Sequence, residues 1–136
     1  MIKVENISEY LIKNDIKPSY QRMRVFEYLT TNHNHPTVNR IYKELIKEIP
    51  TLSKTTVYNT LKLFLEKGII SVVNIEDNEI RYDADTSLHG HFKCEKCEEI
   101  YDFKINPSNI DYGEIKNFKI NETHLYIKGI CDKCKQ

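Results

Sequence analysis

Residues 53–84 read SKTTVYNTLKLFLEKGIISVVNIEDNEIRYDA, and a change of period within them decides the fold. Val57, Leu61, Phe64 and Leu65 recur at the three-and-four spacing of one helical face, whereas Ile69–Ile75 alternates as a strand does. Ser53 stands where a helix N-cap belongs, and Gly68 follows the last apolar position, where a helix closes. Asp77-Asn78 then predicts a turn and Ile80–Ala84 a returning strand. A helix that runs into a hairpin completes a winged helix-turn-helix when further helices precede it.

Such helices are legible upstream. Thr37 caps a third helix carrying Ile41, Leu45 and Ile46, which Pro50 ends. Ser19 caps a second, Tyr20–Thr31, with Met23, Val25, Phe26 and Leu29 as its stripe. Val4, Ile7, Leu11 and Ile12 predict a first, broken at Lys17-Pro18-Ser19, and Asn32-His33-Asn34-His35-Pro36 reads as a loop. The link Glu48-Ile49-Pro50-Thr51-Leu52 is short enough to set the third helix across the fourth. That leaves Lys54, Thr55, Thr56, Tyr58, Asn59 and Lys62 on the outer face of the fourth helix. Small and hydrogen-bonding groups near a helix N-terminus are what meets base edges in a major groove, although a plain solvated face has the same composition.

After Asp85 the character changes. Phe92-Lys93-Cys94 and Leu125–Cys131 suggest short strands, and Pro107–Lys116 a short helix. The expectation is an α+β chain: a winged helix-turn-helix over 1–80 and a small metal-binding domain over 81–136. The 20 basic and 20 acidic residues balance to zero, but 1–75 carry a net +4 and 76–136 a net −4. This suits a first half that meets a polyanion and a second that collects cations. No apolar run approaches the roughly 20 residues that span a bilayer, and no signal-peptide pattern opens the chain, so a cytoplasmic protein is expected.

Cys94-x-x-Cys97 and Cys131-x-x-Cys134 carry the strongest chemical signal. Each Cys-x-x-Cys bend sets two thiolates on one side, and two bends complete a tetrahedron around Zn²⁺. With 33 residues between the pairs, the metal would join elements distant in sequence. Four sulfurs leave no position for water or substrate, so the site would be structural; a redox dithiol or a disulfide scaffold is the competing reading. His89-Gly90-His91 is a second ligand source, because on a strand both imidazoles face one way. His35, Asp83 and Asp102 offer further nitrogen and oxygen, and such a set suits Fe²⁺, Mn²⁺ or Zn²⁺. A lone histidine before proline in a polar loop is more often just a surface residue.

Val57-Tyr58, Arg81-Tyr82-Asp83, His89-Gly90-His91-Phe92-x-Cys94-x-x-Cys97-x-x-Ile100-x-Asp102 and Cys131-x-x-Cys134 together resemble the ferric uptake regulator (Fur) family. The resemblance runs over essentially the whole chain. It implies a homodimeric, metal-dependent repressor of palindromic double-stranded DNA, with an N-terminal winged helix and a C-terminal α/β dimerisation domain. It implies structural zinc on Cys94, Cys97, Cys131 and Cys134, and a regulatory ion on His35, Asp83, His89, His91 and Asp102. Tyr58 and Asn59 match base-contacting positions, and Lys17 matches a lysine that reaches the minor groove; Thr56 lies beside them on the outer face.

Asp102 and Asn59 are most similar to the peroxide-sensing (PerR) branch, in which iron-dependent oxidation falls on the histidines matching His35 and His91. An iron- or zinc-responsive repressor without histidine oxidation is the alternative. A further histidine-rich site common in the family is missing, its positions being Leu88, Gly90, Asn109 and Thr123, with His124 one residue out of register and turned to the opposite strand face. Two metals per subunit are therefore expected. A zinc hydrolase would need an open metal position and a general base, and no His-Glu-x-x-His or nucleophile motif is present. A zinc-ribbon interaction module would explain the cysteines but not the amphipathic helices before them.

Overall fold

The structure, a computed structural model, describes residues 6–32, 34–76, 79–120 and 123–135, with side chains at 74–76 excepted. Val4, His33 and the Asp77-Asn78 turn lie outside the described residues. The chain divides into two compact units, Met1–Thr86 and Ser87–Gln136, against an expected division between 80 and 81.

The first unit holds helices α1 (Ile7–Lys13), α2 (Tyr20–Thr31), α3 (Val38–Leu45) and α4 (Lys54–Glu66), then strands β1 (Ser71–Glu76) and β2 (Glu79–Asp83). Each helix begins where one side chain caps it. Asn6 Oδ1 accepts from the Glu9 amide at 3.1 Å, Ser19 Oγ from Arg22 at 3.1 Å, Thr37 Oγ1 from Arg40 at 3.2 Å and Ser53 Oγ from Thr56 at 3.0 Å. Such a cap contributes about 1 kcal/mol by satisfying one of the amides a helix start leaves without a partner.

The ends are equally local. Past α4 the Ile69 amide donates back to Phe64 at 3.1 Å and the Gly68 amide to Leu65 at 3.1 Å, with Gly68 at φ 72°. This Schellman closure needs a left-handed residue and turns buried Ile69 back onto Phe64. Past α1 the same closure places Ile16 over Leu11, but its left-handed residue is Asp15 at φ 61°.

The four helices bury one core. Val25, Phe26, Leu29, Ile41, Leu45, Val57, Leu61 and Phe64 are all sealed from solvent. Phe26 is its centre, stacked on Tyr10 at 5.3 Å and edge-on to Phe64 at 5.7 Å between ring centroids. The outer face of α4 keeps Lys54, Thr55, Tyr58, Asn59 and Lys62 exposed and Thr56 half-buried. β1 and β2 form an antiparallel ribbon with Ser71 opposite Asp83 and Val73 opposite Arg81. A helix pair followed by such a ribbon is a winged helix-turn-helix.

The second unit is a three-stranded sheet in the order β4-β3-β5, built from β3 (His89–Cys94), β4 (Ile100–Lys104) and β5 (Tyr126–Gly129). β3 runs antiparallel to β4 and parallel to β5. The expected helix over Pro107–Lys116 is not formed: two 3₁₀ turns, Pro107–Asn109 and Gly113–Ile115, take its place. Asn106 Oδ1 accepts from the Ser108 amide and Asp111 Oδ1 from the Gly113 amide, so side chains divert the backbone donors a helix would need. His124, expected on a strand, precedes β5 by two residues. Among the described residues no helix is long and apolar enough to cross a membrane.

Candidate metal centres and nucleic-acid face

Parallel pairing of β3 with β5 sets Cys94 opposite Gly129, and two residues later the chain delivers Cys131 to the first cysteine bend. Amides of Cys97 and Cys131 each donate to Cys94 Sγ at 3.4 Å. Those two donors hold the Cys94 thiol down to about 6, favouring the thiolate that a metal requires. All four cysteines are free thiols, and their sulfurs lie within 4.8 Å of one another. Zinc bonds of about 2.3 Å in a tetrahedron put sulfurs about 3.8 Å apart. Cys97 and Cys131 Sγ are 3.8 Å apart. The cluster therefore fits zinc.

The first bend carries a local misfit. Its closing residue, Glu98, sits at φ 64°, with its amide donating to the Cys94 carbonyl at 2.9 Å. Glycine takes such a conformation at least cost, and this chain has glutamate there.

On β3 the alternation works as expected. His89 and His91 share a face, with ring centroids 4.5 Å apart and Nε2 atoms 3.0 Å apart. His89 Nδ1 is 2.7 Å from the Ser87 carbonyl, which can only accept; Nδ1 therefore carries the proton and Nε2 the lone pair. Asp102 is the cross-strand partner of His91, with Oδ1 at 3.3 Å from His91 Nε2 and Oδ2 at 4.0 Å from His89 Nε2. Two ligand atoms each roughly 2.1 Å from one ion stand about 3.0 Å apart at a right angle and about 4.2 Å apart when opposed. All three separations fall inside that range. On the reverse face Gly90 lies opposite Phe103, whose ring fills the space of a Cβ: an added carbon would meet it at 2.2 Å. The residue between the two histidines thus has to be glycine.

In the first unit His35 is 3 % exposed and therefore not the surface histidine that its loop composition suggests. Its neighbours are stitched to the wing. The Tyr82 amide donates to the Pro36 carbonyl at 3.0 Å, Thr37 bridges to Arg81, and Arg81 Nη1 donates to the His35 carbonyl at 3.4 Å. His35 takes a left-handed φ of 53°, a conformation that only surrounding structure maintains. This brings His35 Nε2 to 3.7 Å from Asp83 Oδ2, while the Asp85 amide donates to the other oxygen, Oδ1, at 2.9 Å and orients the carboxylate. Imidazole and carboxylate at that separation fit two ligands of one divalent ion.

Lys17, Thr56 and Asn59 line one cleft, and Tyr58 stands exposed on the neighbouring part of α4. Arg81, Asp85, Ser87 and Phe103 hold ligands in place; sequence reasoning named Arg81 only as part of the family motif, without a role, and did not single out the other three. Only the alternation of Ile100–Lys104, read as a strand, would have pointed to Phe103 as a partner of Gly90.

The ferric uptake regulator family matches over residues 13–128. The peroxide-responsive repressor PerR of Staphylococcus epidermidis is 33 % identical over 131 residues, covering 93 % of this chain and 86 % of that protein. The Helicobacter pylori ferric uptake regulator superposes with a TM-score of 0.74 at 22 % identity, over 100 % of this chain and 98 % of that one. Streptococcus pyogenes PerR, described as peroxide-sensing, superposes at 0.56 with 28 % identity, over 98 % and 94 %.

Proposed function

The chain belongs to the ferric uptake regulator family, whose members are metal-responsive DNA-binding repressors and not enzymes, and on that premise we propose that it is a peroxide-responsive repressor. It acts as a cytoplasmic homodimer on palindromic duplex DNA. Lys17, Thr56, Tyr58 and Asn59 meet the duplex, Cys94, Cys97, Cys131 and Cys134 hold structural zinc, and His35, Asp83, His89, His91 and Asp102 together hold one regulatory Fe²⁺ or Mn²⁺.

The observation that supports a peroxide sensor most directly is the short carboxylate of Asp102 paired across the sheet with His91. It leaves the imidazole nitrogen and an oxygen side by side in a mixed nitrogen–oxygen set of the kind non-haem iron uses. When bound, ferrous iron supplies the reducing equivalent by which peroxide can oxidise an adjacent ligand. The protein's part is to orient Nε2 of His91 and of His35 as ligands and to carry the consequence of their loss. An oxidised imidazole is a poorer donor, and the ligand set that includes it no longer favours the DNA-binding conformation. Resemblance to the peroxide-responsive staphylococcal relatives, at 32–33 % identity, supports the same reading.

The test is to treat Fe²⁺-loaded and Mn²⁺-loaded protein with peroxide and map mass gains by peptide. One added oxygen on His35 or His91 in the iron form, with loss of DNA binding, is expected; the manganese form stays unmodified. Oxidation confined to cysteine or methionine would leave an iron- or zinc-responsive repressor as the correct reading.

A further inference from the structure

One row of residues crosses the three-stranded sheet at His91. β4 sets Asp102 beside it and β5 sets Tyr126 on its other side, each as its Cα partner. Partners in register project to the same face, so Tyr126 shares the face that carries His89, His91 and Asp102. The backbone fixes its place: the His91 amide donates at 3.0 Å to the carbonyl of Leu125, the residue before Tyr126. The Tyr126 and His91 ring centroids are 5.9 Å apart with planes tilted by 45°, and the His124 ring lies 6.0 Å from Tyr126 in turn. Exposure rises through this series, from buried His91 through half-buried Tyr126 to exposed His124.

The five regulatory ligands need no phenol at this position. A phenol differs from an imidazole in giving up a hydrogen atom readily. The chain has no tryptophan to compete in that role, and Cys94 belongs to the opposite face of β3. An oxidisable ring thus stands in contact with a histidine that binds metal in the reading above.

We propose that Tyr126 is a hydrogen-atom donor that competes with His91 for the oxidant peroxide yields at the regulatory site, and so sets how much peroxide the protein tolerates before His91 is lost. The role rests on the peroxide-responsive reading and adds to it a residue with no part there. When bound, ferrous iron supplies one electron to peroxide, whose O–O bond breaks into hydroxide and a hydroxyl radical. That radical takes the phenolic hydrogen of Tyr126, leaving water and a tyrosyl radical, and the imidazole stays intact. A thiol in solution returns a hydrogen atom to the phenoxyl oxygen, and two of the resulting thiyl radicals pair as a disulfide. The phenol is restored, whereas oxygen added to an imidazole remains. Partial exposure of Tyr126 gives such a thiol access.

The experiment mixes peroxide with full-length protein carrying zinc and Fe²⁺, freezes it rapidly and records its electron paramagnetic resonance. Wild-type protein should show a tyrosyl signal that narrows when the protein is made with ring-deuterated tyrosine. Tyr126→Phe keeps the ring without the hydroxyl and should abolish the signal. Tyr101→Phe should retain it, because Tyr101 pairs with Phe92 on the reverse face. Peptide mapping at equal peroxide should find oxygen on His91 about twofold more often in Tyr126→Phe, the ratio expected if two adjacent rings share the oxidant evenly. A Mn²⁺ affinity that changes in Tyr126→Phe in step with His91 oxidation would make the residue structural and overturn the role. Oxygen on His91 without a tyrosyl signal in wild type, or with the same yield in both proteins, would overturn it and leave histidine sensing standing. Wild-type protein with neither a tyrosyl signal nor oxygen on His35 or His91 would remove the peroxide reading as well.

Discussion

Replacing Gly90 by alanine should damage the histidine face of the sheet from behind. The new Cβ would stand 2.2 Å from Phe103 Cζ and 2.6 and 2.8 Å from its Cε atoms, so the ring has to retreat by more than about 1 Å to reach ordinary contact near 3.6 Å. It can retreat by swinging outward, which gives up its packing on β3, or by carrying β4 with it. The second route moves Asp102, the adjacent residue, away from His91. Overpacking of this kind typically costs 1–3 kcal/mol, and about 2 kcal/mol lowers the ratio of folded to unfolded protein about thirtyfold. The assay is urea unfolding of zinc-loaded protein at fixed concentration, beside a Mn²⁺ titration of the same samples. Both stability and manganese affinity should fall. A double-mutant cycle with Phe103→Ala isolates the clash, since without the ring the alanine has nothing to strike and the coupling should exceed about 1 kcal/mol. An alanine that costs as much in the Phe103→Ala background, or almost nothing with Phe103 present, would refute the reasoning.

Other expectations follow from single observations. Gly68→Ala forces a Cβ into a left-handed φ of 72° at the close of α4 and should cost about 1 kcal/mol, read as a lowered melting temperature. Glu98→Gly relieves the opposite misfit at φ 64° and should add about 0.5–1 kcal/mol, seen as slower transfer of zinc to a chelator. In zinc-free protein Cys94, held down to about 6 by the Cys97 and Cys131 amides, should be a thiolate at neutral pH; its ultraviolet thiolate absorbance should persist until pH falls to about 6, and the total should drop in Cys94→Ser. Because this folded-state value lies below the ordinary 9.0, its contribution to stability is fully present above the unfolded value and disappears as pH falls through about 6, so the zinc-free fold should weaken with acid.

Legibility followed the range of each interaction. The caps at Ser19, Thr37 and Ser53 involve an amide only three residues away, and the starts of α2, α3 and α4 were readable from those residues. The helix expected over Pro107–Lys116 failed for a reason of the same local kind: Asn106 and Asp111 turn the chain with their own side chains. β4 was not identified as a strand, because five residues of mixed polarity carry too little alternation without their partner β3.

By itself the sequence determined that His89 and His91 face one way, since a strand has period two, and that each Cys-x-x-Cys bend presents two sulfurs together. Tertiary structure alone decided what joins them. Parallel pairing of β3 and β5 brings Cys131 to Cys94 across 37 positions, β4 sets Asp102 against His91, and hydrogen bonds from the wing draw a polar loop inward until His35 is buried beside Asp83. Spacing along a chain encodes direction over a few residues. Contact between distant residues is chosen by the packing and backbone pairing of the whole unit, which no local pattern contains.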